Sequence, residues 1–242
     1  MKNIFLASIA ILSLFALFLE GAIVYSHISR PAEIIEKKEA EKEAAEQPFT
    51  LPETVDLNVP FIAQAPGGDW SYPFAYTCEE AAILMARYFF EGEDFVDVPK
   101  TKIELLGLVN FEDKNYGFHE DTSAEQTARL IRDYYGYEAR AVYDISLDDI
   151  KKELALGRPV IIPAAGRLLQ NPNFKPPGPV YHIILLKGYN GDGFLSHDPG
   201  TANGANVLYS YEIIENAIHD LAEGDIMEGR RAMVSFGGEK KK

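Results

Sequence analysis

Residues 64–90, QAPGGDWSYPFAYTCEEAAILMARYFF, constrain the fold more than any other stretch of the chain. A loop rich in Gly, Pro and aromatics (Pro66, Gly67, Gly68, Trp70, Pro73) runs into Thr77-Cys78-Glu79-Glu80. Beyond it Ala81, Ala82, Leu84, Met85, Tyr88 and Phe89 recur at helical spacing, so a buried helix begins at Cys78. The Thr77-x-x-Glu80 pattern fits a capping box and predicts Thr77 as N-cap. That places the sulfur among free backbone N–H groups at the positive end of the helix macrodipole, and both favour thiolate. Cys78 is the only cysteine, which excludes an internal disulfide.

The segments before this one point to a membrane. Lys2 is followed by an uncharged run over 4–19, broken by Glu20 and resumed to Tyr25. Its length suits a spanning helix of roughly 20 residues better than the apolar core of a cleaved signal, about 7–15 residues, though both readings of 1–29 stand. The positive-inside tendency keeps Lys2 in the cytoplasm and sends everything after Tyr25 outside. Residues 30–54, dominated by EIIEKKEAEKEAAEQ, form a charged linker that cannot bury a core. The domain is expected over 55–238, with a basic tail at 239–242. With 37 acidic against 23 basic residues and a net charge of −14, nucleic acid is excluded as a partner, and a basic substrate or simple solubility fits better.

Within the domain, helices are expected near 101–109, over 122–135 closed by Gly136, and from a Ser146 cap to Leu156-Gly157. Strand patterns occupy 137–143, 159–163, 180–187, 194–197, 207–209 and 232–236. Helices first and then an antiparallel set of strands predict an α+β fold, the N-terminal helical part packed on the sheet.

A thiol nucleophile needs a base, and the base needs a group that fixes its tautomer. His27 adjoins the membrane segment, His119 lies in a loop and His219 near a polar helix end, which leaves His182 in VYHIILLK and His197 in SHDPG. A three-residue loop of Tyr189, Asn190 and Gly191 would centre the hairpin on residue 190 and set His182 directly opposite Asp198, with His197 on the other face. A two- or four-residue loop would put His182 and Asp198 on opposite faces. Gln64 can supply an amide donor to an oxyanion beside the Cys78 N–H. Trp70 and the 166–179 loop either pack locally or rim a substrate groove.

Together these residues resemble the papain-like cysteine peptidases, and among them the bacterial C39-like domains. The resemblance covers 55–236 and rests on VPFIAQ, a Trp and Cys at a helix start, YHIILLKGY and HDPGT. It implies a papain-like fold with Gln64 as oxyanion donor, Cys78 as nucleophile, His182 as general base and acid, and Asp198 as the orienting group. The departure is Cys-Glu-Glu where better-known members carry Cys-Gly-Pro, and Glu79 and Glu80 would raise the thiol pKa against the helix dipole. The function implied is a membrane-anchored, extracytoplasmic cysteine peptidase acting on a peptide or protein, with no metal and no cofactor. The alternatives are a weakly active or inactive module that binds or scaffolds at the envelope, and acyl transfer by the same residues.

Overall fold

The computed structural model describes residues 49–94, 97–223 and 225–240. The membrane segment expected over 1–29 and nearly all of the linker lie outside the described residues. No helix among the described residues is long and apolar enough to cross a membrane. Leu51–Lys242 forms one compact unit.

At the centre of that unit is an antiparallel sheet in the order β2-β7-β3-β4-β5-β6, with β1 (Val55–Asp56) paired to β4. The strands are β2 (Tyr137–Tyr143), β3 (Val160–Ala165), β4 (Tyr181–Tyr189), β5 (Gly193–His197), β6 (Val207–Ser210) and β7 (Ala232–Lys240). Every residue of β3 and β4 is buried, as expected of strands covered on both faces; β3 and the IILL centre of β4 are unbroken apolar runs. One face, through Ile161, Ile183, Leu185, Val234 and Phe236, packs on α1 (Cys78–Glu91), α2 (Val98–Asn115) and α3 (Ala124–Leu130). The other, through Val160, Ile162, Ile184 and Leu186, packs on α4 (Leu147–Ala155) and α5 (Tyr211–Ala217). The α+β expectation therefore needs an addition: a second helical layer makes the sheet the middle of the domain.

Local signals explain most of the boundaries. Ser123 with Gln126, and Ser146 with Asp149, form reciprocal capping boxes that start α3 and α4. The helix after Ser123 widens into a π-helical turn over Ile131–Tyr135 and stops at Gly136, whose φ of 75° only glycine adopts readily. Helix α1 is buried on all sides through its middle, with Ala81 through Ala86 and Tyr88 fully inaccessible. Each large side chain buried in this way contributes about 1.5–3 kcal/mol, so α1 anchors the first core. At the other end, β7 continues to Lys240 opposite Tyr137, so two residues of the basic tail belong to the sheet. Backbone pairing to β2 decides this, not side-chain burial.

Candidate active site

The start of α1 is built differently from the pattern in its sequence. Thr77 makes no cap; its hydroxyl donates to the Gln64 carbonyl at 2.9 Å, and Glu80 turns inward to meet Glu112 of α2. The expected capping box is therefore absent, because the loop carrying Gln64 competes for the Thr77 hydroxyl. Cys78 is 5% exposed, and its S–H donates to Glu79 Oε2 at 3.0 Å. The other oxygen of Glu79 accepts the Thr122 N–H at 2.9 Å.

Burial drives the Cys78 thiol well above its ordinary pKa; the Glu79 charge and hydrogen bond and the Glu80 charge push the same way, against the Ile183 N–H. The surroundings of the thiol therefore work against the thiolate that the helix start is expected to favour. Magnitudes explain the outcome. A helix terminus contributes about 0.3–1 kcal/mol, whereas full burial moves a pKa by up to about 3–5 units, each worth about 1.4 kcal/mol.

Behind Cys78 lies a pair of acids. Glu80 is 0% and Glu112 1% exposed, and no N–H or O–H of another residue reaches any of their four oxygens. The two carboxyls face each other without a donor to offset their charge, so burial favours a proton on one of them. Burial, then the Glu112 and Glu79 charges, lift Glu80 well above the usual carboxylate range. Burial likewise lifts Glu112 to about 8, with the Glu79 and Asp113 charges adding to it.

His182, on β4, is 2% exposed, and its Nε2 lies 2.8 Å from Asp198 Oδ1. With Nε2–H committed to an ionised Asp198, Nδ1 is the nitrogen left to take a proton. Phe174 stands edge-on to the imidazole with ring centroids 5.5 Å apart, and a Cβ on Gly200 would come within 2.9 Å of Cε1 and Nε2. Only glycine at 200 lets this loop close over the ring. Asp198 is fully buried and also accepts from Gly200 N at 3.0 Å, Asn171 Nδ2 at 2.8 Å and the Tyr209 hydroxyl at 2.6 Å. Burial raises its pKa, but the His182 charge and the bonds from His182, Tyr209 and Asn171 outweigh it, leaving the carboxyl below its ordinary value.

The hairpin that joins these residues does not have the expected register. Tyr189 pairs with Phe194 and Gly188 with Leu195, so the turn is longer than the three residues expected. A bulge at Lys187 then shifts the register, giving Leu186 opposite Ser196 and Leu185 opposite His197. Extending that pairing by one sets Ile184 against Asp198, with His182 the next residue on the same face. His182 and Asp198 are therefore diagonal neighbours and not directly opposed. The bulge restores the shared face that the longer turn would have lost.

The other sequence candidates are placed as follows. Gln64 is buried beside the start of α1, but its amide donates to the Ala75 carbonyl at 2.9 Å and the Phe74 carbonyl at 3.2 Å, not toward Cys78. His197 holds the Val59 carbonyl at 2.8 Å and accepts the Asn206 N–H at 3.1 Å, a strand-fastening role. His219 binds the Gly229 carbonyl, and His27 lies outside the described residues. Trp70, Tyr72 and Tyr76 are exposed beside the start of α1, and Tyr72 stacks edge-on against His119. The 166–179 loop borders His182 through Phe174. Among the described residues no cluster of His, Cys, Asp and Glu is placed to hold a metal.

Several members of the site escape sequence reading. Asn171 and Tyr209 carry no signal, being single polar residues far from Asp198 in the chain. Glu112 does carry one: it falls in the buried stripe Thr101, Leu105, Leu108, Glu112 of α2, an acid where helical periodicity calls for an apolar residue.

Residues 56–221 match the model of the Peptidase_C39 like family. Among solved structures the chain is similar to a candidate C39-like peptidase from Bacillus anthracis, at 20% identity and a TM-score of 0.53 over 78% of this chain and 100% of that one. It is more distantly similar to xylellain, a cysteine protease from Xylella fastidiosa, at 14% identity and a TM-score of 0.37 over 77% of this chain and 86% of that one. No curated protein matches the chain.

Proposed function

The chain belongs to the Peptidase_C39 like family, and from that premise we propose that it is a cysteine peptidase in which Cys78 is the nucleophile and His182, oriented by Asp198, the general base and acid. The observation that carries the reading is the 2.8 Å bond from His182 Nε2 to Asp198, which frees Nδ1 one residue away from the Ile183 N–H that Cys78 meets. In the proposed reaction the Cys78 proton passes to His182 Nδ1 as Sγ bonds to the peptide carbonyl carbon. The imidazolium gives that proton to the departing amine, leaving a thioester. Water, deprotonated by His182, then attacks the thioester and releases the acid with Sγ as leaving group. The Cys78 N–H, at the first turn of α1 where no intrahelical acceptor exists, is the leading oxyanion donor. Gln64 joins it by exchanging its longer bond, to Phe74 at 3.2 Å, for the oxyanion. We further propose that residues 1–29 hold the domain outside the membrane.

The test is covalent labelling of Cys78 by a peptidyl electrophile together with hydrolysis of a fluorogenic peptide. Cys78→Ala and His182→Ala should each abolish turnover, and His182→Ala should slow labelling. If His182→Ala labels at the wild-type rate, the catalytic reading is wrong. The neutral, Glu79-bonded thiol supports a second reading, a binding module of the same fold. That reading predicts that Cys78→Ala keeps full cellular function, and loss of function in the mutant overturns it.

A further inference from the structure

Peptide cleavage by Cys78 and His182 assigns no task to the carboxyl group that touches the sulfur. The Glu79 side chain is wholly buried, so its charge is not a solvated helix-terminal acid. Its two oxygens are divided between fixed partners: Oε1 is tied to the Thr122 N–H at 2.9 Å, and Oε2 takes the Cys78 S–H at 3.0 Å. The Thr122 N–H is a backbone donor in the tight segment before the Ser123-capped helix α3, so Oε1 cannot drift without disturbing that cap. A carboxylate anchored in this way has one free direction, and the sulfur occupies it.

We propose that Glu79 is a positioning residue that holds Cys78 in reserve: its carboxylate keeps the S–H turned away from His182, and the nucleophile forms only when that hydrogen bond is broken. The proposal rests on Cys78 being the reactive thiol of the preceding section. At release the S–H swings from Glu79 Oε2 to His182 Nδ1, the proton crosses to the imidazole, and thiolate and imidazolium result while Glu79 remains an anion. Protonation of Glu79 releases it by a second route, since a neutral carboxyl can donate to sulfur instead of repelling it. Burial raises the Glu79 pKa, against the bonds from Cys78 and Thr122 and with the Asp121 charge, so this route opens toward acid pH.

Every element near this carboxyl carries titratable groups. Cys78 and Glu80 share its helix, and Glu112 and Asp113 belong to α2. His119, Glu120 and Asp121 belong to the loop before α3, and Tyr181 and His182 to β4. The Glu79 charge bears on Cys78, Glu80, Glu112 and Tyr181, and the His182 charge reaches Asp121. Most of these groups are acids, so lowering the negative charge at 79 is the change that most favours a thiolate.

Glu79→Gln tests this with little change of shape, because the amide oxygen can keep the Thr122 bond while the amide N–H₂ faces sulfur. Alkylation of Cys78 by iodoacetamide, followed against pH, reads the thiol directly. The midpoint should fall by at least about one pH unit, with about a tenfold faster rate at neutral pH, since the thiolate is the species that reacts. Glu79→Asp keeps the charge and should stay near the wild-type midpoint. An unmoved or higher midpoint in Glu79→Gln, or no labelling of that variant in the native state, overturns the proposal. The unmodified protein gives an independent check through thiolate absorbance, with Cys78→Ala as the blank. A Cys78 that is already thiolate at neutral pH overturns the proposal whatever the variants do. Turnover separates this inference from the peptidase reading. A shifted midpoint without peptide cleavage keeps Glu79's role and removes the peptidase, and cleavage with an unshifted midpoint does the reverse.

Discussion

Asp198 and Glu80 are both carboxyl groups with no exposed surface, one beside His182 and the other beside Cys78 in the chain, yet their proton affinities move in opposite directions. Asp198 accepts from four donors, the His182 ring, the Gly200 N–H, the Asn171 amide and the Tyr209 hydroxyl, and its pKa falls below the ordinary value. Glu80 meets only another carboxyl, that of Glu112, and its pKa rises. Burial penalises the anion in both places; the supply of donors decides the sign. The β4–β5 side thereby keeps an anion beside His182, while the α1–α2 side resists a second negative charge beside Cys78. On the peptidase reading, the two sides set the opposing terms of one proton transfer, from sulfur to imidazole.

The largest effect is expected from removing the anion on the donor-rich side. Asp198→Ala leaves His182 without its orienting acceptor and without the charge that stabilises an imidazolium. On the peptidase reading kcat/KM should fall about 10²–10⁴-fold, the range general-base catalysis supplies, measured with a fluorogenic peptide. A variant that cleaves at more than about a tenth of the wild-type rate would show that the His182–Asp198 bond serves packing alone.

The contrast between the two carboxyl clusters also explains which parts of the molecule were legible in the sequence. Ser123 and Ser146 were readable as caps because each meets its partner within one turn of the same helix. Thr77 carried the same local pattern and failed, because its hydroxyl is taken by the carbonyl of Gln64, from a loop that no local window includes. The strands β2 to β7 stood out as apolar or alternating runs, but their pairing did not. The bulge at Lys187 that aligns His182 with Asp198 lies where β1 docks: Lys187 pairs with Asp56, and Val55 packs so closely on Gly188 that a Cβ there would strike its carbonyl. Register at that point is a tertiary property. Of the candidate site residues, Cys78, His182 and Asp198 were proposed from chemistry that the sequence advertises, whereas Asn171, Tyr209 and Thr122 enter through contacts between distant segments.

A second prediction concerns the donor-poor side and stability. A carboxyl whose folded pKa is raised contributes its full stability below the unfolded value, about 4.3, and loses that contribution as pH climbs through the folded one. For Glu112 the folded value is about 8, so the loss extends from mildly acid to mildly alkaline solution. Glu112→Gln places an amide donor opposite Glu80 and removes one titrating group. It should stabilise the protein by about 1–3 kcal/mol at alkaline pH, about 2–4 °C in Tm for each kcal/mol, with no gain near pH 4. Thermal melts across that pH range decide it. A gain of equal size at both ends would mean that the effect is packing, and the shared-proton account would be lost.

The smallest change tests whether donor number sets the sign at Asp198. Tyr209→Phe keeps the ring packed in the second core and deletes only the hydroxyl that donates to Asp198 Oδ2 at 2.6 Å and accepts from Asn171 at 2.8 Å. The bond from His182 to Oδ1 is untouched, so activity should drop less than about tenfold and stability by about 1 kcal/mol, the net value of one hydrogen bond. The informative quantity is the acid limb. A carboxyl whose folded pKa is depressed contributes stability above its unfolded pKa and loses it as pH falls through the folded value. With one donor fewer that folded value rises toward the ordinary carboxylate range, so Tyr209→Phe should begin to lose this contribution at a higher pH than the wild type does. An acid limb that stays in place, together with the expected loss of stability at neutral pH, would mean that the Tyr209 hydroxyl has no share in holding Asp198 ionised, and the sign there would rest on the His182 charge with the Asn171 and Gly200 donors.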